Sequence, residues 1–224
     1  MELTFKLNDN RDGLVITSAK GIKGAIIIPS EQELEGKTYP VTKIKDWVFS
    51  DCTWLTSIII PDTVTEIGIG AFADCERLTF VSIPDSVTKI GKWAFRGCTG
   101  LTSINIPDSV SEIEGWAFFR CPGLTSVVIP DSVTKIGHDA FTFCKALTSI
   151  KIPNSVIRIG KRAFWGCKSL TSIEIPDSVT EIGHAAFVDC TNLRKIVISN
   201  ASLLEDAGGP EEEEMGRPED NRTA

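Results

Sequence analysis

The seven cysteines of this chain are evenly spaced along it. They stand 23 positions apart, at residues 52, 75, 98, 121, 144, 167 and 190. A phenylalanine column keeps the same spacing from Phe49 to Phe187, and a leucine column keeps it from Leu55 to Leu193. Self-similarity at a fixed period of this size is typical of a solenoid, in which each repeat stacks on its neighbours. The chain is therefore predicted to be one continuous stack of rungs.

One unit reads L-T-S-I-x-I-P-D-S-V-T-x-I-G-x-x-A-F-x-x-C-x-x. Its Leu-x-x-Ile-x-Ile part predicts a short strand with one buried face, closed by a proline that cannot donate to a ladder. The A-F-x-x-C part has spacings compatible with one helical turn on the opposite side. A glycine column between them is predicted to need a backbone angle that is unfavourable for bulkier residues: Gly68, Gly91, Gly137, Gly160 and Gly183.

This unit resembles the leucine-rich repeats of BspA-like proteins, also called the Treponema pallidum type, which share its A-F-x-x-C and L-T-S-I-x-I-P elements. The resemblance covers about residues 37 to 198. It implies an α/β solenoid with a curved parallel β-sheet on the concave face and short helical turns or irregular segments on the convex side. It also implies a binding or adhesion role, usually at a bacterial or protist surface.

Both ends of the chain depart from the period. Residues 1–36 contain strand-like alternation around a turn cluster and are predicted to form an N-terminal β cap, with a loop at residues 30–38 leading into the repeats. Residues 37–200 are predicted to form the leucine-rich repeat solenoid of about seven repeats. Residues 201–224 have little apolar surface to bury and are predicted to be an acidic disordered tail.

The distribution of charge narrows the classes of partner. The net charge is −7, but residues 201–224 hold eight acidic and two basic side chains, so their −6 leaves only −1 for the rest. A nucleic-acid binder needs a basic stripe to neutralise phosphates, and this chain has none, so no nucleic-acid partner is expected. No apolar run reaches the ~20 residues that span a bilayer, so no membrane insertion is expected either.

Two observations on the sequence point to different cellular locations. No secretory signal-peptide pattern follows Met1, whereas the resemblance implies a secreted or cell-surface protein.

The repeated polar residues favour framework roles over chemistry. The cysteines form no C-x-x-C pair and are predicted to be seven buried free thiols. His138 and His184 share one slot two rungs apart without a third ligand, so neither a metal nor another cofactor is expected. The serine columns contain no histidine that could act as a base, so the chain is not expected to be an enzyme. The threonine column is expected to bond along the strand edges.

Binding residues are sought where exposed slots break the repetition. Serine or asparagine is usual in the outward slots of the concave strands. The exceptions are mainly apolar residues in the N-terminal half of the solenoid and charged residues in the C-terminal half. A phenylalanine among serines is the strongest hint of a partner site, because apolar clusters on a soluble surface often mark one. The predicted concave site residues are Ile59, Phe80, Ser82, Asn105, Val128, Lys151 and Glu174.

A second group of aromatic residues is predicted on the convex side. These rings either cover the edge of the core or contribute to an interface. The group consists of Trp47, Trp93, Trp116, Phe119 and Trp165, with Phe143 nearby.

Three functional hypotheses follow. The first is a non-enzymatic protein-interaction scaffold that uses the concave face, with adhesion or host binding as the use that the resemblance implies. The second is a module that binds glycan or peptidoglycan through the Thr and Ser ladders and the aromatic rings. The third is a structural repeat protein that self-associates through the convex side. The chain is expected to be a monomer or to self-associate only weakly.

Overall fold

The structure, a computed structural model, describes residues 2–198, and these residues form one solenoid. Each 23-residue unit makes one rung, and most units contain two short strand segments. Strands of the same kind stack in parallel on those of the next unit, and no helix is formed between residues 2 and 198. The stacked parallel solenoid predicted from the period is confirmed.

The strands within residues 2–198 are short, as expected for a rung of this length. They are β1 (Glu2–Leu7), β2 (Leu14–Lys20), β3 (Gly24–Ile27), β4 (Glu31–Leu34), β5 (Lys37–Ile44), β6 (Leu55–Ile59), β7 (Glu66–Ile67), β8 (Phe80–Ser82), β9 (Lys89–Ile90), β10 (Ser103–Asn105), β11 (Glu112–Ile113), β12 (Ser126–Val128), β13 (Lys135–Ile136), β14 (Arg158–Ile159), β15 (Ser172–Ile175), β16 (Glu181–Ile182) and β17 (Lys195–Ile198).

The first ladder contains the Leu-x-x-Ile-x-Ile segments. It runs through β3, β6 and β8, then β10 and β12, then β15 and β17, and residues 147–152 follow the same path without a strand. Residues of the same slot face each other, so that Ile58 lies opposite Val81. Ile58 and Ile60 are buried, whereas Ile59 between them is 43% exposed. This alternation is the period of two that a strand imposes on its side chains.

The second ladder contains the V-T-x-I segments, in the two series β2-β5-β7-β9 and β11-β13-β14-β16. Its outward slot carries charges that pair between rungs. Lys43 Nζ lies 2.7 Å from Glu66 Oε2, and Lys89 Nζ lies 3.4 Å from Glu66 Oε1. Burial alone would raise the pKa of Glu66, but the two lysines more than offset it and hold the pKa below its usual value. Lys135 pairs with Glu112 and Arg158 with Glu181 in the same way.

The convex side consists of irregular turns at the positions where a helical turn was one of the expectations. Two slots per rung, four residues apart, have a left-handed backbone. The first slot includes Trp47 (φ 61°) and Trp93 (φ 58°), and the second includes Asp51 (φ 58°) and Arg120 (φ 57°). A residue with positive φ interrupts right-handed helical geometry, so the A-F-x-x-C segment cannot continue as a helix.

These turns are joined to one another by backbone hydrogen bonds. The N–H groups of Trp47, Phe49 and Asp51 each donate to a carbonyl of the next rung at 2.8 Å. The same forward pattern recurs down to Phe164, which donates to the carbonyl of Ala186. Backbone groups that a helix would have satisfied internally are therefore satisfied between rungs.

The glycine column has a different cause from the one predicted. None of Gly68, Gly91, Gly137, Gly160 and Gly183 has a left-handed φ, so the prediction of a special backbone angle is wrong. Instead, a Cβ on Gly160 would lie 2.5 Å from the backbone N of His138 and 2.6 Å from the carbonyl C of Gly137. Glycine suits the slot in these five rungs because successive rungs approach backbone to backbone at this bend, and Glu114 holds the same slot in one further rung.

Stacked phenylalanines and cysteines fill the interior. The rings of the column from Phe49 to Phe187 are nearly parallel to their neighbours. Neighbouring ring centroids are between 5.2 Å apart, for Phe49 and Phe72, and 5.6 Å apart, for Phe95 and Phe118. Next to them, the thiol of Cys75 donates to the carbonyl of Phe49 at 3.0 Å. The equivalent bond repeats in every later rung up to Cys190.

The N-terminal segment closes one end of the stack. β1 pairs antiparallel with β2, which lies parallel beside β5 and so begins the second ladder. The loop predicted at residues 30–38 is instead a hairpin, because β4 pairs antiparallel with the start of β5. Glu35 (φ 54°) and Gly36 (φ 79°) form its two-residue turn, the left-handed pair that matches the twist of a hairpin.

The C-terminal rung is less well covered. Ile196 occupies an inward slot and is 45% exposed, whereas Ile173, one rung earlier, is 2% exposed. The predicted disordered tail, residues 201–224, lies outside the described residues and stays a prediction, as do the boundaries drawn at residues 36 and 200.

Candidate binding surface

The outward side chains of the first ladder form the concave face, and the predicted concave residues all lie on it. Six of them share one column, and Phe80 stands in the column two residues earlier in the unit. Phe80 is 55% exposed and Val128 is 60% exposed. Ser82 is half-buried, and the remaining members of the set are exposed: Ile59, Asn105, Lys151 and Glu174.

The N-terminal end of this face carries an apolar patch that consists of Ile27, Ile59 and Phe80. Ile27 lies directly opposite Ile59 on the neighbouring strand and is 68% exposed. Phe80 is diagonal to Ile59, because Ser57 faces Phe80 and Ile59 faces Ser82. Sequence reasoning missed Ile27, although its Ile-Ile-Ile-Pro run copies a repeat strand within the predicted cap.

The other predicted concave residues lie away from this patch. Ser82 and Asn105 separate Val128 from Ile59 along the column, and Lys151 and Glu174 lie one and two rungs beyond Val128. The predicted set is thus a line along the solenoid and not a single cluster. Its apolar end and its charged end lie in different parts of the face.

Trp54 and Arg77 form an exposed pair at the start of the first ladder. The Arg77 guanidinium lies 4.0 Å from the centroid of the Trp54 ring, and Trp54 is 53% exposed. The backbone carbonyl of Trp54 accepts a hydrogen bond from Gly24, which ties this corner to β3. Sequence reasoning did not select either residue.

Some hydroxyls of the threonine and serine ladders are occupied within the protein. The hydroxyl of Thr79 donates to the carbonyl of Thr56 at 3.0 Å, and that of Thr125 donates to the carbonyl of Thr102 at 2.9 Å. A second, unpredicted series lies in the turn after the proline, where Ser86 donates to the carbonyl of Val64 at 2.7 Å. These bonds match the expectation that threonine bonds along the strand edges, and they leave fewer hydroxyl donors for a glycan.

The convex aromatic residues form two separate rows. In the first row, the ring centroids of Trp47 and Trp93 are 6.2 Å apart and those of Trp93 and Trp116 are 5.1 Å apart. The rings of Trp116 and His138 are nearly perpendicular, with centroids 3.8 Å apart. Trp47 extends over Gly70 of the next rung, where a Cβ would lie 2.2 Å from its ring. Trp47 is 42% exposed, and the other two tryptophans are half-buried.

The second convex row contains Phe119, Phe143 and Trp165. Phe119 lies 6.1 Å from Phe143, and Phe143 lies 5.3 Å from Trp165, between ring centroids. The indole N–H of Trp165 donates to the carboxylate of Asp189 at 2.9 Å. The rings of both rows are thus engaged with one another, which favours a packing role over a free platform for ligands.

The family of the chain follows from a comparison of its sequence with profiles of known families. The profile of the BspA type leucine rich repeat region matches residues 33–146 and 116–206, with six copies of the repeat. The chain belongs to the BspA-type leucine-rich repeat family. No significant match was found among curated proteins.

Two solved structures extend this result to the whole fold. The T. pallidum leucine-rich repeat protein has 31% sequence identity and a TM-score of 0.78, and the match covers 86% of this chain and 88% of that one. A leucine-rich repeat protein from Bacteroides ovatus has 29% identity and a TM-score of 0.60, over 91% of this chain and 65% of that one. Both similarities support the curved leucine-rich repeat solenoid that the sequence predicts.

A buried polar cluster interrupts this leucine-rich repeat's regularity on the convex side. The Asp139 carboxylate is 3% exposed and lies 3.1 Å from Arg162 Nε, and it accepts a hydrogen bond from Thr142 at 3.2 Å. Burial raises the pKa of Asp139 even though Arg162 opposes the shift. The cluster links two left-handed turns, since both Asp139 and Arg162 have φ of 54°.

The two histidines of the predicted column have different surroundings. Burial lowers the pKa of His138, whose ring packs on Trp116, and His184 is exposed. Across residues 2–198 no group of three or more His, Cys, Asp or Glu side chains is placed to hold a metal ion. The same residues contain no helix that is long and apolar enough to cross a membrane.

All seven cysteines are free thiols, and six of them are buried. Burial raises the pKa of Cys121 to about 12 and also raises the pKa of Cys98 well above its usual value. The thiolate is the reactive form, so these groups are inert. Cys52 is the exception to the prediction of seven buried thiols, because it lies in the first full rung and is only partly covered.

Proposed function

We propose that this leucine-rich repeat protein is a non-enzymatic scaffold that binds a protein partner through its concave face, with adhesion or host binding as its use. Membership of a leucine-rich repeat family supports the general role of a scaffold. The observation that carries the proposal is Phe80, which is 55% exposed in a slot where four later rungs have serine.

The apolar patch supplies the physical reason. Phe80 contributes nothing to the core, because its neighbours Val81 and Leu78 fill the inward slots and are buried. Ile59 lies diagonally across on the neighbouring strand and Ile27 lies one strand further on. The ring thus belongs to an exposed apolar cluster of the kind that marks partner sites. Aromatic anchors of this kind typically account for about 2 kcal/mol or more of binding free energy when truncated.

The test begins with a pull-down from candidate host and bacterial extracts, which identifies a partner. Phe80→Ser is expected to weaken the affinity for that partner at least ~10-fold, in line with the loss of an anchor, while leaving the melting temperature nearly unchanged. Trp93→Ser is the matched control on the convex side, because it removes a ring that packs on Trp47 and Trp116. It is expected to lower the melting temperature and to leave the affinity of the folded protein unchanged.

The opposite pattern would refute the concave assignment. If Phe80→Ser left the affinity unchanged and Trp93→Ser abolished binding in a folded protein, the convex rows would be the partner site.

The convex side supports a second candidate, since Trp47 is 42% exposed at the end of the first row. In this second candidate function, the convex side would mediate either self-association or recognition of a glycan. Light scattering over a range of concentrations tests the first, and a glycan array tests the second. Trp47→Ser is the variant that should abolish either signal.

A further inference from the structure

A line of like charges borders the apolar patch. In six successive units the first-ladder segment ends in a Pro-Asp-Ser-Val type turn, in which the valine N–H donates to the proline carbonyl at 3.0 to 3.1 Å, as in Val87 to Pro84 and Val64 to Pro61. The second residue of this turn is exposed in every rung. In four successive rungs it is an aspartate, and these four residues are called the acidic row: Asp62, Asp85, Asp108 and Asp131.

The turn does not require the charge of the acidic row. Asn154 holds the same slot one rung further on, and its turn closes with the same hydrogen bond, from Val156 to Pro153 at 3.1 Å. Asparagine and aspartate are both favoured at turns for their short polar side chains. The geometry is therefore satisfied by either residue, whereas the carboxylates of neighbouring rungs, ~5 Å apart, repel one another.

The acidic row also differs from the other charged column of the solenoid. On the second ladder, opposite charges pair between several of the rungs, as Lys43 and Lys89 do with Glu66. Between residues 2 and 198, no ion pair or side-chain hydrogen bond involves the carboxylates of the acidic row. Four unpaired negative charges at one edge of a face are thus available to a positively charged partner.

The acidic row and the apolar patch adjoin each other. Asp62 follows Ile59 by three residues, a stretch that spans at most ~10 Å. The hairpin continues the negative edge past the patch, because the hydroxyl of Thr63 donates to the carbonyl of Ser30 and the exposed Glu31 comes next. A ligand seated on Phe80 would therefore lie beside a series of carboxylates that extends in both directions along the solenoid.

We infer that the concave face binds a cationic, extended segment of a protein partner, with an apolar side chain on the patch and Lys or Arg side chains on the acidic row. The inference rests on the proposed function and specifies its partner. Charge complementarity selects this class, because phosphate-rich nucleic acids and anionic membranes are repelled by the same carboxylates.

Two designed peptides test the charge preference. One alternates Lys with Phe, Ile or Val, and the other replaces every Lys by Glu. Both carry the same fluorophore, and fluorescence anisotropy measures their affinity for the full chain at low and at physiological salt. A labelled DNA duplex is the third probe. The Lys peptide is expected to bind, its affinity should fall with salt, and the Glu peptide and the duplex should bind at least ~10-fold more weakly.

The triple variant Asp62→Asn, Asp85→Asn, Asp108→Asn tests the acidic row without changing the turns. It is expected to bind the Lys peptide roughly 10-fold more weakly at low salt, as the loss of three exposed charge pairs implies, and to lose most of the salt dependence. Asp177→Asn is the matched control, since it makes the same change in the same slot beyond Asn154. At physiological salt its affinity should stay within about twofold of the unmodified protein, because exposed charges three rungs, ~15 Å, beyond Asp108 are then screened.

Several results would overturn the inference. They are equal or tighter binding of the Glu peptide or the duplex, no binding of the Lys peptide at the highest soluble concentration, an unchanged affinity in the triple variant, and an equal loss in Asp177→Asn. Binding of the Lys peptide that is insensitive to Phe80→Ser would also overturn it, because the patch and the acidic row would then act separately. Each of these leaves the proposed function standing if Phe80→Ser still weakens the partner from the pull-down.

Discussion

The interior phenylalanine stack allows a quantitative test of how the rungs depend on one another. Phe118 is 1% exposed and lies between two parallel rings, with centroids 5.6 Å from Phe95 and 5.3 Å from Phe141. Phe187 has the same slot in the last full unit, but it is only partly buried and stacks on one ring, Phe164, at 5.5 Å. Replacing each by alanine compares an interior rung with an end rung.

The expected losses follow from burial and from the number of neighbouring rings. A fully buried Phe→Ala change costs ~3–5 kcal/mol of unfolding free energy, and Phe118 should lie at the upper end because both neighbours lose a partner. Phe187 loses one stacking partner and leaves a cavity that is open to solvent, so about half that cost is expected. The difference between the variants should be about 2 kcal/mol.

Urea titrations followed by circular dichroism and by tryptophan fluorescence measure both free energies. Coincident transitions from the two probes show that a single free energy of unfolding applies to each variant. Equal losses for Phe118→Ala and Phe187→Ala would refute the reasoning, because stability would then not depend on stacking at both sides of a rung.

Three further predictions concern other features of the chain. In a thiol-labelling experiment on the folded protein, Cys52 should react first and the other six cysteines only after denaturation; rapid labelling of several thiols would contradict their burial. Gly160→Ala should lower the free energy of unfolding by ~1–3 kcal/mol, because a Cβ there meets backbone atoms, while Glu114→Gly, which restores the usual residue in the same slot, should have a much smaller effect. Deletion of residues 201–224 should leave the melting temperature unchanged and alter only charge-dependent behaviour, and a melting temperature lower by several degrees would show that this segment stabilises the fold.

The features that could be predicted from the sequence are those whose slot holds the same residue type in every unit. The burial of the phenylalanine column, the alternation of the strands and the parallel stacking all follow from a single residue type in each slot. The left-handed positions could not be predicted in this way, because one of them holds Trp47, Gly70 and Arg162 in different rungs. That backbone conformation is imposed by hydrogen bonds between rungs, and these leave no common residue type in the slot.

The candidate site was predicted only in part, and for a related reason. Phe80 was found because it breaks a serine column, whereas Ile27 lies in a segment that is out of register by nine residues and was not compared with that column. The Glu-Gly pair at residues 35 and 36 is a local signal for the hairpin turn. The segment was nevertheless predicted to be a loop, because it lacks the spacing of the repeats. The glycine column was correctly placed at a bend, but the close approach of two backbones becomes visible only when the rungs are stacked.

The forward hydrogen bonds of the convex turns make the solenoid a directional array with two chemically different ends. Each turn donates three N–H groups to the unit that follows it and receives three from the unit before it, so every interior unit offers the same connections on both sides. Removing or duplicating one whole unit of 23 residues would therefore rejoin matching donors and acceptors. A gene encoding such a chain can change its length by unequal recombination without interrupting the fold, and the length of the binding face can change in steps of one rung while the two end segments stay the same.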